Sequence, residues 1–188
     1  HVDINANGEA ALHGQNVASG DLRVAARTVN LAGSQTLARN LNLHAASGDI
    51  NVRNAVLTAD ETLTASTTQT LQHDGASSSA RQLQLNAHDL SNQHGELIQS
   101  GSGATAISLA GSLDNTAGKL AVNSQDLGLS AQTINNTNGV IVHAGAGEIG
   151  AVGAEDAGLA EVVEPALAPG EVRVAEKDGV LLRPGGQE

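Results

Sequence analysis

The chain has 188 residues and a formal net charge of −11, with no Phe, Tyr, Trp, Met or Cys. Its apolar residues are therefore only Ala, Val, Ile and Leu, which argues against the core of a compact enzyme, where each aromatic buries about 150–250 Å². The acid excess and missing aromatics leave neither a basic footprint nor stacking platforms for nucleic acid, and the absence of cysteine excludes disulfide scaffolds and Cys-based zinc or thiol chemistry.

From the N-terminus onward the predicted elements are short alternating apolar pairs: Val2/Ile4, Leu22/Val24, Leu41/Leu43, Leu63/Ala65, Leu83/Leu85, Ile107/Leu109 and Leu127/Leu129. Their first members lie 20, 19, 22, 20, 24 and 20 residues apart. Period-2 alternation broken by Gly, Asn, Asp and Ser predicts very short strands, and no segment before residue 148 sustains a helical period. A repeat of about 20 residues predicts coils of two or three strands, each strand pairing with its equivalent one coil on, ~4.8 Å away. Roughly seven coils through residue 147, and eight or nine overall, give a rod of about 35–40 Å. So narrow a core accepts small aliphatic side chains and would be overfilled by rings.

A second signature marks the later copies. Leu90-x-Asn92-x-x-Gly95-x-Leu97 matches Leu113-x-Asn115-x-x-Gly118-x-Leu120 and Ile134-x-Asn136-x-x-Gly139-x-Ile141, with Val29-Asn30-Leu31 and Ile50-Asn51-Val52 as weaker forms. Two readings of the asparagines stand: a ladder in which each side-chain amide bonds the amide of the next coil, or ordinary turn residues. The glycines are expected to supply positive φ at a corner.

These residues, clearest over 83–141, resemble the repeats of filamentous haemagglutinin-type adhesins, bacterial exoproteins exported by two-partner secretion. The shafts of contact-dependent growth-inhibition toxins share the repeat. The resemblance implies an all-β, right-handed parallel β-helix, in agreement with the general handedness of parallel crossovers. It further implies a structural shaft, secreted to the bacterial surface through an outer-membrane partner, that projects binding or effector regions toward a host or neighbouring cell. The rivals are a toxin shaft, a direct receptor-binding module and a polysaccharide-degrading β-helix enzyme. With no Met at His1 and no recognisable secretion module, the chain is expected to be an internal piece.

Other motifs carry little. Gly145-x-Gly147-x-x-Gly150 fits a dinucleotide fingerprint, but too few residues follow it for a nucleotide domain, and it reads as a corner or exit loop. The Gly111 to Lys119 stretch has the wrong spacing for a phosphate loop, with Leu120 in place of the hydroxyl residue. The seven histidines share no ligand spacing; His88, Asp89 and His94 form the closest group and are read as solvated. The acids of 1–147 are scattered one or two per coil, and no G-x-S-x-G elbow occurs. No catalytic, cofactor or metal residue is assigned, and neither nucleic acid nor membrane insertion is expected. Residues 148–188, with nine acids, three bases and all three prolines, are set apart from the 1–147 repeat region. They are read either as a cap with a hairpin over 171–182 or as an acidic connector.

Overall fold

The computed structural model describes residues 1–145 and the strand backbones of Ile149–Val152 and Val162–Val163. The hairpin expected over 171–182 and most of the acidic stretch lie outside the described residues. Every regular element described is a strand, and every pairing is parallel.

Alternation of small apolar and polar residues bends the chain into coils with three faces. The first face stacks Val2–Asn5, Asp21–Ala26, the second halves of Gln35–Ala45 and Val56–Thr67, then Gln82–Ala87, Thr105–Leu109, Leu127–Ser130 and Ile149–Val152. The second face stacks Glu9–Ala11, Thr28–Asn30, Ile50–Asn51, Thr70–Gln72, Asp89–Ser91, Ser112–Asp114 and Thr133–Asn135. The third face takes Gln15–Val17, the first halves of the two long strands, then Ser77–Ala80, Glu96–Gln99, Lys119–Val122, Val140–His143 and Val162–Val163. The long strands pass from the third face to the first without a break, so those two faces form one 14-stranded sheet; the pairing slips between Ala38 and Asn40 as the chain turns.

The core is a set of straight columns. On the first face Leu22, Leu41, Leu63 and Leu83 stack in register, and beside them Val24, Leu43, Ala65, Leu85, Ile107 and Leu129. All are buried, as are the second-face residues Val29, Ile50, Leu71, Leu90, Leu113 and Ile134. Burying one such side chain stabilises by about 1.5–3 kcal/mol, and stacking adds that contribution coil by coil.

One alignment from the sequence is corrected. The intervals of 24 and 20 residues around Ile107 arise from matching Ile107 with Leu83, whereas Ile107 pairs with Leu85 and Leu129, giving two equal steps of 22. Thr105, opposite Leu127, holds the inward place where the pattern predicts an aliphatic residue. It is buried, and its hydroxyl donates to Gln99 Oε1 at 2.7 Å. Gly150 lies within a strand opposite Gly128 and opens no helix, which removes the dinucleotide reading.

Candidate functional site

The chemistry that sets one coil on the next is concentrated at the corner between the second and third faces. Six successive coils make the same four-residue turn there. The backbone N–H of Ser34, Ala55, Ala76, Gly95, Gly118 and Gly139 donates to the carbonyl three residues earlier, at 2.9–3.1 Å. In each turn the third residue is left-handed: Gly33, Asn54, Gly75, His94, Ala117 and Asn138 have φ between 52° and 67°. Positive φ at the third residue alone is the type II pattern.

The expectation that Gly95, Gly118 and Gly139 provide the positive φ is therefore corrected, because the residue before each one does. These glycines are needed for space. A Cβ on Gly95 would stand 2.6 Å from the His73 carbonyl oxygen, and one on Gly118 or Gly139 would strike the carbonyl of Asn92 or Asn115 one coil back. Each would also press on the Oδ1 of the asparagine three residues earlier in its own turn.

Above those glycines runs a polar ladder. Asn92 Nδ2 donates to Asn115 Oδ1 at 2.6 Å, and Asn115 Nδ2 donates to Asn136 Oδ1 at 2.6 Å. Since Asn92 turns its amide nitrogen toward Asn115, its Oδ1 faces His73 and accepts from Nδ1–H at 2.6 Å. The neutral ring then accepts the Ser78 hydroxyl at Nε2, 2.7 Å away. All five side chains are buried, so the hydrogen bonds run in one direction through four coils and polarise one another. Burial lowers the pKa of His73 from 6.5 to about 4, although its hydrogen bond to Asn92 and the nearby Asp74 carboxylate oppose the shift.

Outside the ladder, carboxylates join neighbouring coils. Asp89 accepts both the backbone N–H and the hydroxyl of Ser112 at 2.7 Å. Asp114 accepts from Gln93 at 2.8 Å in the coil before and from Asn135 at 3.3 Å in the coil after. Asp49 reaches Thr70 and Gln72, and Asp74 reaches Ser91, Gln93 and Arg53. Partial desolvation raises the Asp89 pKa, but the Ser112 hydrogen bonds, with His88, outweigh it and hold the group below its ordinary value. Asp114 follows the same pattern through Thr116 and Gln93.

The repeat positions named from sequence occupy equivalent sites. Leu90, Leu113 and Ile134 point inward from the second face, and Leu97, Leu120 and Ile141 from the third. Asn92, Asn115 and Asn136 form the ladder. Asn30 and Asn51 do not align with them: they sit one position earlier, facing outward, and receive the backbone N–H of Ala32 and Arg53. The ladder column itself holds Leu31 and Val52 in those coils, both buried.

Sequence reasoning missed His73 because its turn ends in Ala76 instead of glycine, which hides it from the Asn-x-x-Gly pattern. His143, which the sequence also left unassigned, is likewise buried and bonds the Ser124 carbonyl at 2.9 Å. His88 bonds Asp89 at 2.8 Å while His94 stands at the far corner of the same strand. Among the described residues no three His, Asp or Glu side chains converge as a metal site, and no helix is long and apolar enough to cross a membrane. A shallow groove of about 510 Å³ lies along the corner between the first and second faces, beside Asn5, Arg27 and His44.

Comparison with known proteins agrees with this geometry. The haemagglutinin repeat family matches at residues 1–66, 36–117 and 100–182. The chain is 34% identical over 145 residues to a protein named Toxin CdiA from Yersinia pestis, covering 76% of this chain and 4% of that protein. It thus spans a small fraction of that relative's length. No solved structure matches.

Proposed function

The chain belongs to the haemagglutinin repeat family, and from that premise we propose that it is a length of shaft in a large secreted bacterial adhesin, holding binding or effector regions away from the cell surface. The equivalence of its coils carries this reading. Six successive coils repeat the same corner turn above parallel inward columns, so length can be added without new architecture. The groups an enzyme would aim at a substrate are turned on the neighbouring coil instead, as with Asp49, Asp74, Asp89 and Asp114. Export through an outer-membrane partner and attachment to a host or neighbouring cell belong to the same proposal.

Insertion of one duplicated 22-residue coil into the full-length exoprotein tests it. A shaft tolerates the extra coil, is exported and still mediates attachment. Outward substitutions on the first face, such as Asn42→Lys with Gln84→Lys, leave attachment unchanged. Loss of attachment from the face substitutions alone contradicts the spacer reading and favours direct receptor binding.

The identity with Toxin CdiA supports a second reading, the shaft of a contact-dependent growth-inhibition toxin. Co-culture separates the two: a toxin shaft predicts growth arrest of neighbouring cells that is lost when the shaft is removed, whereas an adhesin shaft predicts loss of attachment alone.

A further inference from the structure

The amide ladder does not run the length of the rod. It occupies the corner from His73 onward, through Asn92, Asn115 and Asn136, whereas the two coils before it fill the same inward place with Leu31 and Val52. His73 stands where the two chemistries meet. Among the described residues the only buried ionisable side chains are His73 and His143, and both lie beyond Val52.

The hydrogen on the His73 ring is placed by the ladder. Asn92 Nδ2 also reaches the Gly95 and Lys119 carbonyls at 3.4 Å, and Asn115 Nδ2 reaches those of Gly118 and Val140 at 3.3 Å. A carbonyl accepts only from the amide nitrogen, so neither side chain can be turned over. The Oδ1 of Asn92 is thereby fixed toward His73, Nδ1 carries the hydrogen, and Nε2 is left to accept the Ser78 hydroxyl. A second proton, on Nε2, reverses that bond. Ser78 must then turn its own hydrogen elsewhere, and its register neighbours one coil back and one coil on are Leu57 and Leu97, which accept nothing. The charged groups around the corner do not bond the ring. Asp74 lies beside it and pairs with Arg53 of the coil before at 3.2 Å; on the coil after, His94 is exposed and Glu96 pairs with Lys119 at 2.8 Å.

We propose that acid divides the rod at the step between Val52 and His73. Protonation of the ring opens the ladder coils that follow it, while the coils before it, with no ionisable side chain in their core, keep their pairing. The fold permits such a division. Stacked coils contact only their neighbours, so one cooperative segment opens while the next stays closed, and about three coils suffice to hold a core. The consequence for a shaft is a loss of stiffness at one defined step as its surroundings acidify. The inference stands on the corner geometry and is independent of the adhesin and toxin readings.

Hydrogen exchange of the whole chain, read by mass spectrometry at pH 7 and pH 4.5 and corrected for the intrinsic exchange rate, tests the division. At pH 4.5 the Asp89 and Asp114 carboxyls, held below their ordinary pKa, stay ionised, which separates their effect from that of the ring. The opened ring binds its proton at the ordinary 6.5 and the buried ring only at about 4. Protection over residues 77–122 is therefore expected to fall roughly fiftyfold more than protection over residues 15–45. His73→Asn with Ala76→Gly removes this excess. NMR of the parent imidazole at pH 7 shows the hydrogen on Nδ1 and a bare Nε2, a reading that needs no variant. Equal loss of protection in the two segments, an excess that persists in the double variant, or a hydrogen on Nε2 would each overturn the proposal.

Discussion

Asn92 and Asn115, 23 residues apart in sequence, are joined by an amide hydrogen bond of 2.6 Å, and both side chains are completely shielded from solvent. Each therefore depends on the other coil to satisfy it. Replacing Asn115 with Ala leaves the Asn92 donor and the Asn136 acceptor without the partner each has in the ladder. The expected loss is about 2–4 kcal/mol, since each orphaned buried group costs about 1–3 kcal/mol. Chemical denaturation of N115A against the parent measures it.

Adjacent positions in one turn should respond in opposite directions. Ala117 has φ 52°, a conformation that disfavours any residue with a Cβ, so Ala117→Gly stabilises by about 0.5–1 kcal/mol after the entropic cost of glycine. Gly118→Ala places a methyl group against the Asn92 carbonyl and destabilises by about 3 kcal/mol. Thermal melts of the two variants check the reversal, which a uniform preference for glycine at the corner does not predict.

The His73 ring gives the fold a dependence on acid. Its folded pKa of about 4 is below the ordinary 6.5, so the unfolded chain binds the additional proton. Stability from the neutral ring is fully present above pH 6.5 and is lost as the pH falls toward 4, about 3 kcal/mol over the window. Replacing the ring with asparagine flattens that part of the profile. His73→Asn alone meets the Ala76 methyl group, because in every Asn-x-x-Gly turn a Cβ at the fourth position would press on the asparagine Oδ1. His73→Asn with Ala76→Gly should therefore be more stable than His73→Asn by more than Ala76→Gly contributes in the parent.

Ser112 holds the Asp89 carboxyl below its ordinary pKa through two hydrogen bonds of 2.7 Å. A Ser112→Ala variant retains the backbone donor and loses the hydroxyl, so the Asp89 pKa rises. NMR titration of the Asp89 side chain reads this, and an unchanged value contradicts the stapling role. Carboxylate staples of this kind give their full stabilisation above the ordinary carboxyl pKa and lose it as the pH falls through the lower folded value.

The period, the strands and the corner asparagines were legible because aliphatic residues and amides recur at fixed intervals. What escaped the pattern is polar substitution inside the core. Thr105 broke the aliphatic alternation and shifted the apparent register by two residues, while its partner Gln99 sits between Ala80 and Val122 of the neighbouring coils. Gln99 is satisfied while buried: it accepts from Leu83 N of the first-face strand at 2.8 Å and donates to the Gly101 carbonyl of the loop that follows it at 3.1 Å. The glycine role was misassigned because steric exclusion by the previous coil is a tertiary fact, and sequence shows only that glycine recurs.

Whether the molecule is a stack of interchangeable coils is decided by the thermal unfolding of the chain lacking residues 105–126. This removes one 22-residue step between Thr105 and Leu127, bringing Asn92 next to Asn136 and leaving the ladder continuous. A stack of equivalent coils gives a cooperative melt and an unchanged β-type circular dichroism signal per residue, with deletion of 105–115 abolishing both. If the whole-coil deletion unfolds the chain as completely as the half-coil deletion, the coils are not equivalent units and the shaft reading fails.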